Sequence, residues 1–391
     1  MKLTKKLIAV AMVSTMIMSL VGCTSKAETT TETETTTDAV STDAGATDAG
    51  TTADANTTVT GEKLKVKLCL STFSDNSFQQ SVYEGAMKLA EENPDTLDVN
   101  AIEMGTDDTT WSDAFYEAAD EGYDIIIGTG YQNYETFTNL PQEYPDIKWI
   151  LFDQSLDFEA NTLPNVLSVL FESSQSGYLA GAAAAYYSKT DTIGYVGGKD
   201  SETINEFLVG YIEGAQSVKP DIKVLTAYNG SYTDTANAKS ITEAQIAEGT
   251  DVVFQCAGGA GNGVIEACSE AEGVMAIGVD SDQSVTLAGT GYEQTVMTSA
   301  LKNLDNAVYN IITDYLADES SVPFGSVITY GLEIDGVGIV YNDQLKAAIG
   351  EENVAAVETI QAGLADGSIT CDSASEMSAD EITTLINSVN Q

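Results

Sequence analysis

Ile277-Gly278-Val279-Asp280-Ser281-Asp282-Gln283 reads as an apolar strand that ends in two carboxylates. An ionised carboxylate accepts hydrogen bonds in a fork, so one placed at a strand terminus can grip the adjacent hydroxyls of a sugar. Taken as an acid pair, Asp280 and Asp282 would suggest glycoside hydrolysis. Their i, i+2 spacing at a single strand end argues against that use. Three further stretches are polar or glycine-rich where a strand gives way to a helix. Ser71-Thr72-Phe73-Ser74-Asp75-Asn76-Ser77-Phe78 is one, and in it Asp75 and Ser77 suit a helix cap as well as a ligand contact. Asn229-Gly230-Ser231-Tyr232-Thr233-Asp234 is another. The third, Ala257-Gly258-Gly259-Ala260-Gly261-Asn262-Gly263, lets the backbone approach a ligand closely or makes a tight turn. It matches neither GxGxxG nor a P-loop.

These residues need elements that bring strand ends together. Beyond Gly61, apolar runs rich in β-formers alternate with helical patterns: Val66 to Leu70, Tyr123 to Ile127, Lys148 to Phe152, Val166 to Leu170, Thr192 to Val196, Lys223 to Ala227, Asp251 to Cys256 and Val274 to Val279. Between them the apolar period is near 3.6, as in Phe78, Val82, Ala86 and Leu89. Repeated βαβ units predict an α/β fold with parallel sheets covered on both faces. Eight strands divide into two sheets with a boundary near Phe171. A helix from Ser299 to Leu316, a strand from Ser326 to Tyr330 and a helical tail from Asn342 to Gln391 follow. In such sheets ligands bind beyond the carboxyl ends of the strands, where the four stretches above lie.

Composition removes whole classes of chemistry. The 391 residues carry 16 basic side chains, all lysine, against 60 acids, for a net charge of −44, and there is no histidine and no arginine. Nucleic-acid binding has no cationic footprint to draw on. Histidine-based acid/base catalysis and His-ligated metal sites are excluded. Without arginine, a carboxylate- or phosphate-bearing ligand fits poorly, and an uncharged polar small molecule fits better. No cofactor is expected. Cys69, Cys256, Cys268 and Cys371 allow three pairings; Cys69 and Cys256 sit in apolar strands and read as reduced, structural thiols.

The first residues join a basic start (Lys2, Lys5, Lys6) to the apolar run Leu7 to Leu20 and then Leu20-Val21-Gly22-Cys23, which resembles a bacterial lipoprotein signal with its lipobox. The resemblance implies cleavage of residues 1–22 and lipidation of Cys23, hence a protein held at the extracytoplasmic face of a bacterial cell membrane. Residues 23–61 then read as a disordered Thr-rich tether in which only Lys26 opposes seven acids. Most of the negative charge therefore belongs to the globular part, which should stand off an anionic membrane.

Taken together, Asp75-Asn76-Ser77-Phe78, Gly177-Tyr178-Leu179-Ala180-Gly181, Ile193-Gly194-Tyr195-Val196-Gly197-Gly198, Phe207 with Gly210, Gly258 to Gly263, Gly278 to Gln283, Lys302 and Thr329-Tyr330-Gly331-Leu332 resemble the BMP family. These are purine-nucleoside-receptor type substrate-binding lipoproteins of ABC transporters. The resemblance covers nearly all of Leu64 to Leu332. It implies a type I periplasmic-binding-protein fold, two Rossmann-like lobes joined by three crossovers that close on a ligand. The lobes are expected as 62–170 plus 296–320 and 171–295 plus 321–391.

It further implies that Phe78 and Phe207 sandwich a base, that Asp280 accepts both ribose hydroxyls, that Lys302 donates to the sugar, and that the Gly258-Gly259 backbone lies against the ligand. Asp75 and Asn76 join this set. Family members carry an Asp near the end of the first strand; here the loop is two residues shorter and Ser71 stands nearest. The ribose half is thus retained and the base half altered, with Tyr131, Asn133 and Trp111 placed to compensate. The implied protein is a monomeric, non-enzymatic receptor that delivers a purine nucleoside to ABC permease and ATPase subunits. A receptor for a free sugar or sugar-like signal molecule is the alternative, and a surface hydrolase acting through Asp280 and Asp282 is the third reading.

Overall fold

The computed structural model describes residues 62–390. Cys23, the leader and the tether lie outside the described residues. Two six-stranded sheets organise the rest. The first contains β1 (Leu64–Leu70), β2 (Leu97–Glu103), β3 (Ile125–Thr129), β4 (Lys148–Phe152) and β5 (Val166–Phe171). The second contains β6 (Thr192–Gly197), β7 (Lys223–Tyr228), β8 (Val252–Cys256), β9 (Met275–Asp280) and β10 (Val296–Lys302). Late in the chain β11 (Ser326–Tyr330) joins the first sheet and β12 (Val337–Ile339) the second. The orders β11-β5-β4-β3-β1-β2 and β12-β10-β9-β8-β6-β7 repeat one pattern. Every pairing is parallel except β10 with β12.

Strand periodicity explains the layers. Leu68 and Leu70 of β1 feed a core with Val82, Ala86 and Leu304, whereas Cys69 between them points to Trp111, Phe115 and Trp149 on the other face. The second sheet is covered the same way on its two faces. Fully buried parallel strands need helices on both sides, as the apolar runs predict. The chain passes between lobes three times, from Phe171 to Ser173, Lys302 to Leu304 and Tyr330 to Val337.

Three expectations need correction. Ser299–Lys302 is strand rather than helix, and the helix is Leu304–Ala317. Consequently Val296–Lys302, expected in the first lobe, pairs with β9 in the second sheet. Ser326–Tyr330, expected in the second lobe, pairs with β5 in the first. Val296–Lys302 thus completes the second lobe before the chain crosses back at Leu304, and Ser326–Tyr330 pairs with β5, about 160 residues earlier, which local periodicity does not encode. The amphipathic β2 and the three-residue β12 also escaped the apolar-run reading. The tail forms helices Asp343–Ile349, Glu351–Ala365 and Ala379–Val389 that contribute Leu345, Val357, Leu364 and Val389 to the second lobe's core. Cys69, Cys256, Cys268 and Cys371 are free thiols. No helix among the described residues is long and apolar enough to cross a membrane.

The helix that carries Phe207, Glu202–Val218, packs on Ser173–Tyr187 through glycines on both partners. A Cβ at Gly181 would stand 2.1 Å from the Tyr211 carbonyl oxygen, and one at Gly214 1.9 Å from that of Tyr178. Neither backbone can retreat, since both helices are buried against the second sheet. Gly214→Ala is therefore expected to destabilise the protein by about 1–3 kcal/mol. Urea unfolding of the variant checks this; an unchanged midpoint would show that the helices can separate freely.

Candidate functional site

The carboxyl ends of both sheets face each other across a cavity of about 420 Å³. That size suits a drug-sized polar ligand. From the first lobe it is lined by Ser71, Asp75, Phe78, Trp111, Tyr131 and Asp153, and from the second by Lys199, Phe207, Tyr232, Gly258, Gly259, Asp280 and Lys302 among others.

At the end nearest the crossovers lies a buried charged cluster. Asp280 ends β9 and Asp153 follows β4, the equivalent positions in the two sheet orders. Both adopt left-handed backbone, with φ of 64° and 61°, which costs energy for a non-glycine residue and is characteristic of functional sites. Lys302, at the end of β10, sits between them: Nζ is 2.5 Å from Asp153 Oδ2 and 3.7 Å from Asp280 Oδ1. The second Asp280 oxygen accepts from Ser77 Oγ at 2.5 Å. Asp153 and Ser77 belong to the first lobe, Asp280 and Lys302 to the second, so the cluster ties the lobes together. Lys302 is 2%, Asp280 6% and Asp153 9% exposed.

Aromatic rings enclose the ammonium. Nζ of Lys302 is 5.0 Å from the centre of the Phe78 ring and 5.2 Å from that of Phe207, both within cation–π range. Burial alone would lower the lysine's pKa, but the two neighbouring carboxylates outweigh it and hold it above the ordinary value. For Asp280 burial dominates and raises the pKa from 3.8 to about 6, with Lys302 and Ser77 opposing.

Several neighbours serve the fold. Asp75 accepts from the backbone N–H groups of Ser77 (3.1 Å), Gln79 (2.9 Å) and Gln80 (3.1 Å), so its carboxylate ties down the start of the helix Phe78–Glu92 while one side lines the cavity. Burial still raises its pKa despite those donors. Asp282 accepts from Ser284 N at 3.0 Å and caps the short helix Gln283–Thr286. It is not among the residues that line the cavity with Asp280.

The chain matches the family model described as ABC transporter substrate-binding protein PnrA-like over residues 65–371. The chain belongs to the Bmp family. Among relatives, it is 32% identical over 309 residues to the ABC transporter nucleoside-binding protein BmpA of Lactococcus lactis subsp. cremoris, covering 73% of this chain and 84% of that protein. It is 30% identical to basic membrane protein D of Borreliella burgdorferi over 71% of this chain and 79% of that one. The crystal structure of solute-binding proteins of an ABC transporter system from Aeropyrum pernix K1 superposes with a TM-score of 0.70 at 21% identity, covering 84% of this chain and 98% of the other. The fold is the type I periplasmic-binding-protein fold, and the Bmp-family chain is a substrate-binding protein of an ABC transporter.

Within this Bmp-family cavity the structure brings together Ser71, Asp75, Phe78, Tyr131, Phe207, Gly258, Gly259, Asp280 and Lys302. Asn76 does not line it. Its left-handed backbone (φ 60°) turns its carbonyl onto the second lobe, where it accepts from Gln283 Nε2 (3.2 Å) and Thr286 Oγ1 (3.0 Å). Asn133 is likewise outside, donating to Thr129 O at 2.7 Å, whereas Trp111 lines the wall. Sequence reading missed Asp153 and Lys199. The rule that selected Asp280, a carboxylate directly after a buried strand, points equally to Asp153 after Lys148–Phe152.

Because folded Asp280 keeps its proton to about pH 6 and an unfolded aspartate only to 3.8, the folded state binds more protons between those values. This residue's contribution to stability thus falls as pH rises through that window, by roughly 3 kcal/mol in all, and is level above it. Relative to Asp280→Asn, the wild type should lose stability from pH 4 to pH 6 in urea titrations. A difference independent of pH would contradict the burial-dominated carboxyl.

Proposed function

We propose that this protein is a lipid-anchored, extracytoplasmic receptor that captures a nucleoside between its lobes and hands it to an ABC permease, without catalysing a reaction. The observation that carries this is Asp280 and Lys302, buried together at the closed end of a cavity flanked by Phe78 and Phe207. In this reading Asp280 accepts the two ribose hydroxyls, Lys302 donates to the sugar, and the two phenylalanines hold the base. The similarity to the Lactococcus protein named as nucleoside-binding supports it. Ser71, Tyr131 and the Gly258-Gly259 backbone complete the contact surface, and Cys23 carries the anchor.

Charge decides what is excluded. Three buried carboxylates, Asp75, Asp153 and Asp280, line the cavity against the buried Lys302 and the half-buried Lys199. An anionic ligand would have to approach these with its own charge desolvated, which is costly. A ligand rich in O–H donors and free of negative charge suits the site, so a nucleoside is accepted and its monophosphate refused. A free sugar is the second reading, favoured by Ser71 where the family has a carboxylate for the base.

Calorimetry should show Asp280→Ala weakening nucleoside binding roughly ten- to a hundredfold, since a hydrogen bond to a buried charge is worth about 1.5–3 kcal/mol. In a thermal-shift panel, a nucleoside at about 100 times its Kd should add roughly 2.7 kcal/mol of stability, with nucleotides inert. Stabilisation by pentoses or hexoses but not nucleosides would select the sugar reading.

A further inference from the structure

The part of the cavity farthest from the crossovers carries polar groups that the fold does not use. Lys199 follows β6, which lies three strands from β10 in the second sheet, roughly 14 Å across. Although acids far outnumber lysines in this chain, Lys199 forms no ion pair among the described residues. Its Nζ stands 5.8 Å from the centre of the Tyr232 ring and it lines the cavity. Asn262, in the first turn of the helix Gly261–Glu270, lines the same region. Its Oδ1 is buried without a hydrogen-bond partner. Since β8 and β6 are neighbours, these two side chains project from adjoining strand ends.

Tyr232 supplies a fixed surface between them. Its ring packs on the backbone at Gly198, where a Cβ would come within 2.3 Å of Cε1, and its carbonyl accepts from Ala260 N at 2.8 Å. The cavity is therefore polarised. Asp153 and Asp280, with Lys302 between them, supply acceptors near the crossovers, and Lys199 supplies a donor at the far wall. A ligand that fits both ends presents hydroxyl donors at one and acceptors at the other.

We propose that Lys199 reads an exocyclic carbonyl of the base, so that the cognate class is a 6-oxopurine nucleoside in preference to a 6-aminopurine one. This rests on the nucleoside reading. A 6-oxopurine offers O6 and N7 as adjacent acceptors, whereas a 6-aminopurine puts a donor at position six. An ammonium has three donors and nothing to accept with, so an amino group facing it leaves both unsatisfied.

The test is calorimetry on the full chain with inosine, guanosine and adenosine, in the wild type and in Lys199→Met. Inosine and guanosine should bind the wild type at least roughly tenfold tighter than adenosine, as expected for one hydrogen bond to a charged group. Lys199→Met should reduce that preference to within about threefold while adenosine affinity stays nearly unchanged. If adenosine binds the wild type as tightly as inosine, or the variant weakens all three equally, the Lys199 assignment falls and nucleoside capture stands. If none of the three binds while a pentose does, both fall.

Discussion

One ammonium, Lys302, shared between a carboxylate of each lobe is the interaction on which the site depends. Three charged side chains have been taken out of water, and their mutual attraction must offset a desolvation cost of several kcal/mol per ion. The arrangement tolerates this because the partners are complete: Asp153 takes Lys302 directly and Asp280 takes Ser77 as well as the more distant ammonium. Removing any one member would leave another charge buried without its partner. Since Asp153 and Ser77 come from one lobe and Asp280 and Lys302 from the other, the electrostatics of the site and the meeting of the lobes are one problem with one solution.

That solution exploits the repeat in the architecture. The two sheets share a strand order, and the third position in each ends in an aspartate with left-handed backbone. Facing the carboxyl ends toward one another brings two like charges into a single space, and their repulsion needs a cation. Lys302 lies on β10, the strand beside β9, where the chain is about to cross to the other lobe. A lysine there reaches both aspartates from a position that either lobe holds rigidly. The rings of Phe78 and Phe207 close around it, keeping water from weakening the attraction.

Other residues that look chemical in the sequence are committed to structure. Asp75 and Asp282 both cap helix starts, Asn76 braces one lobe on the other through its carbonyl, and the glycines at 177, 181, 210 and 214 let two helices touch backbone to backbone. These roles account for much of the motif pattern that marks the family. A motif residue can serve the fold without touching a ligand, because the position of Phe207 depends on helix contact as much as on its own identity.

Asp280 drew attention from its place at the end of an apolar strand, whereas Phe78, Phe207 and Lys302 were singled out only through the resemblance of the joint motif pattern to the Bmp family. Local order also announced the alternation of strand and helix and hence the fold class. Asp153 carries the same signal as Asp280 yet stands out only once its neighbour across the cleft is known. Lys199 carries no signal at all, since an unpaired lysine in a loop is ordinary until a cavity wall is seen behind it. The sheet membership of β10 and β11 was also beyond reach: β10 was hidden inside a helical pattern, and β11 pairs with a strand more than a hundred residues earlier. Composition and periodicity thus determined the classes of chemistry available and the elements that carry them. Only the tertiary structure decided which charges meet, because the energy of a buried ion pair depends on distances that span the two lobes and no local pattern of residues records them.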